Sequence, residues 1–203
     1  MENIDHIFYI NLEKRKDRYE QINNEFNRLH LNSDKIERYN AVYMPDHACL
    51  GCTISHLNVL KIAKERGYKN VLIFEDDFEF LVDENTFKNN IKDFFEKNLD
   101  FKVVMLSYYT HHIKKYDDLL SITNDAQTAS GYIVNSKYYD ELINCLEHGV
   151  KMLDLTREHW LYINDQVWKS LQKDDKWYIF NTRLGRQRES FSDLSGQIAN
   201  YNI

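Results

Sequence analysis

Apolar residues fall in two rhythms along the chain, short unbroken runs and repeats spaced by three or four, and the two alternate from the start. Asp5 to Leu12 is rich in β-forming residues and predicts a strand. Tyr19, Ile22, Phe26 and Leu29 then recur at helical spacing. Ile36 to Tyr43 predicts a second short strand, closed by Met44-Pro45-Asp46. Next, Thr53 is placed to cap a helix that carries Ile54, Leu57, Leu60 and Ala63 and stops near Gly67. That helix leads into Val71-Leu72-Ile73-Phe74, four consecutive apolar residues that predict a strand buried on both faces. The alternation β-α-β-α-β over the first 77 residues implies a mostly parallel sheet with right-handed crossovers.

Farther along, Phe87, Ile91, Phe94 and Phe95 mark a helix, and Phe101 to Leu106 a buried strand. Ser130 to Val134 predicts another strand, in which Gly131 permits a close backbone approach. A helix through Tyr138, Leu142 and Leu146 follows, the pattern loosens beyond Gly149, and Trp177 to Phe180 predicts a last strand.

Composition narrows the class. A chain of 203 residues, 43% hydrophobic, with 14 Tyr, 11 Phe and 3 Trp, can bury one substantial core. One Pro, six Gly and no low-complexity run leave no linker, so residues 1–203 are expected to form a single domain. No window of eighteen apolar residues and no apolar leader occur, which predicts a cytoplasmic protein with no membrane span and at most peripheral association. A net charge of −6 argues against a nucleic-acid partner. Cys49, Cys52 and Cys145 are too few and too uneven for a disulfide framework and fit a reducing compartment. Cys49 and Cys52 lie between His47 and His56, but four ligands within ten residues lack the two separated arms usual in structural zinc sites.

The candidate chemistry begins where the Val71 strand ends, in Glu75-Asp76-Asp77. Ligands collect outside the carboxyl ends of strands in open α/β sheets. Three adjacent carboxylates repel one another unless something positive is shared, and a hard divalent cation serves that purpose. The plainer alternative is a solvated turn. At the first strand–helix junction stand Lys14, Arg15, Lys16 and Arg18, where a phosphate would sit at a helix N-terminus, or where the cations are simply solvated. Ser107 to His112 brings aromatic and hydroxyl groups to a strand end, as a sugar or base site would, although a His pair is more often structural. Asp154, Trp160, Asp165 and Trp168 mix acids with aromatics, as carbohydrate sites do, yet both tryptophans also suit a core. Arg183, Arg186 and Arg188 would neutralise a diphosphate or form a solvated tail.

Four motifs in order, Ile10-Asn11-Leu12-x-x-Arg15-x-Asp17-Arg18, Gly51-Cys52-x-x-Ser55-His56, Glu75-Asp76-Asp77 and Gln187-x-x-x-x-Ser192-Asp193-Leu194, closely resemble glycosyltransferase family 25. That family includes lipooligosaccharide and collagen hydroxylysine galactosyltransferases. The resemblance implies an α/β fold of GT-A type, a Rossmann-like and mostly parallel sheet flanked by helices. It also implies a UDP-sugar donor, Mn²⁺ or Mg²⁺, and transfer with inversion. Residues 1–107 would form the nucleotide-sugar half and 108–203 the acceptor-side half.

By the same resemblance Asn11, Arg15 and Arg18 would serve the nucleotide, Ala41 and Val42 would line the uracil pocket, and Ser55 and His56 would border the donor. Asp76 and Arg188 are grouped with these. Glu75 and Asp77, at the spacing of a D-x-D motif and on one face of an extended segment, would hold the metal, with Asp193 completing that site. Inversion needs a general base, for which Asp154 and then Asp165 are the candidates. The implied activity is hexosyl transfer, of galactose or glucose, to a glycan or to hydroxylysine of a collagen-like protein. His111 to Thr128 matches nothing in the family and leaves the acceptor open. The rivals are a metal-dependent phosphohydrolase or nuclease and an inactive sugar-binding module of the same fold. Nothing in the sequence bears on the oligomeric state.

Overall fold

Strands and helices alternate through the first half of the chain as β1 (His6–Asn11), α1 (Lys16–Arg28), β2 (Ile36–Asn40), α2 (Ala48–Glu65), β3 (Asn70–Glu75), β4 (Phe78–Phe80), α3 (Glu84–Glu96) and β5 (Val103–Met105). A hairpin follows, β6 (Ile113–Lys115) and β7 (Leu120–Thr123), then β8 (Gly131–Asn135) and α4 (Tyr139–Thr156). Three single-turn helices, α5 (His159–Tyr162), α6 (Asn164–Val167) and α7 (Lys169–Gln172), lead to β9 (Trp177–Phe180) and the short strands β10 (Gly185–Gln187), β11 (Ser190–Ser192) and β12 (Gln197–Ala199). The computed structural model describes residues 1–194 and 196–199.

Eight strands form one sheet in the order β2-β1-β3-β8-β5-β9-β7-β6. β1 is parallel to β2 and β3, and β5 to β9, while β8 runs against β3 and β5, and β7 against β9 and β6. Six strands therefore share one direction, as the mostly parallel expectation requires, and β8 and β7 are reversed. The parallel edge β2-β1-β3 is the part built by right-handed β-α-β units, and it carries the candidate site at its carboxyl end.

β3 shows why the sheet needs two covering layers. Val71 and Ile73 pack with Leu57, Leu60 and Ala63 of α2 and Leu142 and Leu146 of α4. Leu72 and Phe74 pack on the opposite side with Ile22 and Phe26 of α1 and Phe87 and Ile91 of α3. All four β3 residues are fully buried, and each such burial stabilises by roughly 1.5–3 kcal/mol. The strand that delivers the acidic triplet is thus clamped from both faces.

Two expectations are corrected. Thr53 does not cap α2: the helix starts at Ala48, and the Thr53 hydroxyl donates back to the Cys49 carbonyl at 2.9 Å, the i−4 bond that lets a Thr sit inside a helix. Where the pattern loosens, α4 continues through Gly149, which is buried against the Tyr162 carbonyl oxygen so closely that a Cβ would lie 2.8 Å from it. Trp177–Phe180 is not the last strand, since three short strands of largely polar sequence follow it. His111 to Thr128, without a readable pattern, forms the β6–β7 hairpin and a bridge between Tyr109 and Gln127. Of the two ambiguous tryptophans, Trp168 is core and Trp160 is 59% exposed. Among the described residues no helix is long and apolar enough to cross a membrane.

Candidate active site

At the carboxyl ends of β2, β1 and β3 the chain leaves the sheet at neighbouring points, and a cavity of 210 Å³ opens there. Its lining joins Glu75, Asp76 and Asp77 to Arg18, Ala41, Val42, Ser55, Gln187 and Asp193, with Lys14 and Tyr43 at its wall. Residues from both ends of the chain meet because parallel strands all deliver their ends to one edge.

The turn after β3 is held by packing. Phe78, one residue past the triplet, occupies space that a Cβ at Gly131 or Gly185 would invade, at 2.4 and 1.9 Å from its ring. Two glycines thus make room for the ring that anchors the acidic turn. From the tail, the Arg188 amide donates to the Asp77 carbonyl at 2.7 Å.

Arg18 organises the carboxylates. Its Nη1 lies 2.9 Å from Asp76 Oδ1 and 3.0 Å from Asp77 Oδ2, and its Nη2 donates to Ser190 Oγ and the Phe191 carbonyl at 2.6 and 3.0 Å. Asn11 Nδ2 donates to Asp76 Oδ2 at 2.7 Å, and Gln187 Nε2 donates to Asp77 Oδ2 at 3.1 Å. Asp77 Oδ1 and Arg18 Nε are buried with no hydrogen-bond partner among the described residues. Burial pushes the Asp77 carboxyl up to about 7, with repulsion from Glu75 and Asp76 adding to it and Arg18 opposing it. Burial also raises Asp76 against the pull of Arg18 and Asn11. One guanidinium therefore serves two carboxylates and leaves one oxygen unsatisfied.

Glu75 faces a different set of groups. Its Oε1 accepts from His56 Nε2 at 3.0 Å and from the Cys52 thiol at 3.7 Å, while His56 Nδ1 meets the Tyr132 hydroxyl at 2.8 Å. Burial alone would raise the Glu75 carboxyl, but His56 and Arg18 hold it below the usual carboxylate range. Cys52, His56 and Glu75 place one donor atom each within 4.8 Å of one another. His47 turns away to the Leu153 carbonyl at 2.9 Å, so the four Cys and His residues do not gather.

The opposite wall rests on the start of α2. Gly51 sits inside that helix because a Cβ would come within 2.5 Å of the Val42 carbonyl oxygen. Ser55 Oγ accepts from the Val42 amide at 2.9 Å and donates to the Gly51 carbonyl at 2.7 Å. The Ala41–Val42 backbone is thereby locked against the helix. Lys14 Nζ stands 4.5 Å from the centre of the Tyr43 ring and 2.8 Å from Asp193 Oδ1.

The structure brings most of the expected residues together. Glu75, Asp76, Asp77, Asp193, Arg18, Ala41, Val42 and Ser55 line the cavity. Asn11 and His56 brace it from behind through Asp76 and Glu75. Arg15 reaches Asp193 Oδ2 at 2.6 Å and the Phe191 carbonyl at 3.0 Å, tying the tail to the start of α1. Burial would raise the Asp193 carboxyl, but Lys14 and Arg15 hold it low.

Other expected residues lie elsewhere. The Arg188 side chain pairs with Glu25 at 3.1 Å and Glu79 at 3.4 Å, away from the cavity lining. Asp154 is exposed on the last turn of α4. Asp165 is half-buried, accepts from the Thr128 amide at 3.0 Å, and has its carboxyl raised by burial and by nearby Glu75. The sequence gives Gln187 and Tyr43 no role; the motif position of Gln187 is its only signal, and Tyr43 needs the packed loop, while Lys14, expected beside a phosphate, stands at the cavity wall.

A family model described as glycosyltransferase family 25 (LPS biosynthesis protein) matches residues 47–156, just over half of the chain. No curated protein matches it by sequence. Among solved structures, the glycosyltransferase GlyE of Streptococcus pneumoniae TIGR4 superposes with a TM-score of 0.50 at 11% identity, covering 88% of this chain and 45% of that one. A mannose-1-phosphate geranyltransferase from Thermus thermophilus gives 0.47 at 10% identity, over 92% and 60% of the two chains. An apo UDP-glucose pyrophosphorylase gives 0.47 at 8% identity, over 86% and 72%. This chain thus spans less than two thirds of the first two of these proteins. The likeness is one of fold, a GT-A-like α/β arrangement.

Proposed function

The chain belongs to glycosyltransferase family 25, and on that premise we propose that it moves a hexosyl group, galactose or glucose, from a UDP-sugar to an acceptor hydroxyl with inversion and with the help of Mn²⁺ or Mg²⁺. The observation that carries the reading is the acidic turn: of three adjacent carboxylates at a cavity, Asp76 and Asp77 share the Arg18 guanidinium, Glu75 pairs with His56, and Asp77 Oδ1 is left without a partner among the described residues. A hard divalent cation with oxygen ligands fits that orphaned oxygen and the charge around it. Asp77 and Glu75 would hold the ion, and Asp193 would join them on release from Lys14 and Arg15. The ion supplies charge to stabilise the departing diphosphate.

The protein's own groups do the rest. Lys14, Arg15 and Arg18 stand beside the acids and would accompany a diphosphate, because a guanidinium offers paired donors to phosphate oxygens. Ala41 and Val42, fixed by Ser55, give a rigid apolar edge suited to uracil. Asn11 keeps Asp76 oriented, and His56 does the same for Glu75. For the general base we favour Asp165 over Asp154: Asp165 is half-buried and fixed by the Thr128 amide, and burial raises its carboxyl, whereas Asp154 is exposed on the last turn of α4. A carboxyl with a raised pKa accepts a proton from the acceptor hydroxyl more readily. Residues 1–107 would then carry most of the donor side, completed by Gln187 and Asp193, and the rest of 108–203 the acceptor side, within one domain.

The experiment is thermal unfolding with UDP, GDP and CMP, each with and without Mn²⁺, since a ligand that binds only the folded chain raises the midpoint. The expected result is a Mn²⁺-dependent shift with UDP alone. A shift with none of the nucleotides would contradict the reading, and release of phosphate from simple phosphoesters would favour a hydrolase instead.

A further inference from the structure

Beside the donor cavity lies a second, more open recess of 250 Å³. The two share Pro45, Ala48, Asp193 and Leu194 in their linings, so a group bound in one abuts a group bound in the other. The recess continues over Asp46, Arg157 and His159, which none of the roles above uses.

Its far wall is built where α4 ends. Arg157 terminates that helix with φ 60°, ψ 13°, a left-handed conformation that glycine usually takes. Its Nη1 donates to the Asp46 carbonyl at 3.1 Å, which fastens the end of α4 to the rim of the recess. Among the described residues no carboxylate pairs with the Arg157 guanidinium, and no cation pairs with the Asp46 carboxylate. Next along the chain the His159 and Trp160 rings meet edge to face at 5.2 Å. Trp160 is 59% exposed and flanked in sequence by Leu155 and Leu161, 68% and 48% exposed.

We propose that this recess is the acceptor subsite and that it takes the ring of a terminal hexopyranoside. A planar carboxylate that accepts and a planar guanidinium that donates, neither spent on a charge partner, match vicinal ring hydroxyls that do both. The apolar C–H face of a pyranose then has the His159 ring, which lines the recess and is backed edge to face by Trp160, to rest on. The assignment rests on the first cavity's being the donor site, because only then does the shared wall put an acceptor hydroxyl beside the transferred sugar.

The test is saturation-transfer NMR on the full chain with methyl galacto-, gluco- and mannopyranosides in the presence of UDP and Mn²⁺, with the UDP-induced unfolding shift measured in parallel. Arg157→Gly removes the guanidinium while suiting the left-handed backbone, and His159→Ala removes the ring that lines the recess. At least one glycoside is expected to bind the parent chain, with a tenfold or greater loss of affinity in each variant and an unchanged UDP shift. No glycoside binding, or equal binding in parent and variants, would overturn the subsite while an intact UDP shift leaves the donor reading standing. Binding of a hydroxylysine peptide in place of any glycoside would also overturn it. Glycoside binding that both variants lose, with no UDP shift at all, would keep the sugar site and remove the donor reading instead.

Discussion

The two halves of the molecule hold their polar groups in different ways. At the ends of β1 and β3 the acids and arginines are packed under the sheet edge, where almost every oxygen and nitrogen has a partner at a fixed distance. Around the end of α4 the polar groups stand in the open, on single-turn helices and beside exposed side chains. A buried charge cluster is costly unless it is paired, so its residues depend on one another. An open recess imposes no such dependence, and its residues answer to a ligand alone. Substitutions in the first region should disturb binding, titration and folding together, whereas those in the second should separate acceptor use from everything else.

The largest effect is expected for Asp77→Ala, which removes the unpartnered oxygen: Mn²⁺-dependent UDP binding disappears and transfer falls by roughly 10³-fold or more, while circular dichroism shows an intact fold. Asp165→Asn, assayed for turnover and for UDP affinity, should keep the affinity and lose about a hundredfold or more in turnover. Asp154→Asn should change neither; a loss of turnover there and none at Asp165 would reverse the two roles.

Stability gives the next contrast. Arg18→Ala leaves Asp76 and Asp77 buried without their cation, which costs about 3–5 kcal/mol for a broken buried pair, read from denaturant titration. A variant as stable as the parent would show that the cluster is not interdependent. Arg188→Ala, which breaks the partly buried pairs with Glu25 and Glu79, should cost less than Arg18→Ala and leave UDP binding alone.

Titration of Asp77 couples stability to binding. Burial raises its carboxyl from 3.8 to about 7 in the folded chain, so the folded state holds this proton more tightly than the unfolded state does. The residue therefore favours folding at low pH, and that contribution drains away between about pH 4 and pH 7. The unfolding midpoint of the ligand-free protein should fall across this window, and Asp77→Asn should remove the fall. UDP affinity in Mn²⁺ runs the other way, because the ion needs the ionised carboxylate: below pH 7 it should weaken by up to about tenfold per pH unit.

Much of the first region could be read before folding, for a physical reason. Val71 to Phe74 is apolar on both faces, so only a central strand suits it, and the acids that follow can only emerge at a sheet edge. Asn11, Arg15 and Arg18 follow the next such run. Thr53 misled because it resembles a helix start, whereas α2 already runs from Ala48 and packs on the Val42 loop through Gly51. Arg188 looked like a phosphate ligand because charge is visible in a sequence and direction is not. β10 to β12 are short: β10 pairs with distant β4, β11 and β12 pair with each other, and Arg15 and Arg18 hold the Phe191 carbonyl of β11. Asp154 and Asp165 are alike as letters, and only the end of α4 and the Thr128 amide tell them apart.

The most direct test of the acidic turn as the donor's metal site is electron paramagnetic resonance of Mn²⁺ titrated with the parent chain and with Asp77→Asn, each with and without UDP. The account predicts loss of the free-ion signal when UDP and the parent chain are both present, and a free signal with the variant. Equal depletion of the free ion by both proteins would contradict it.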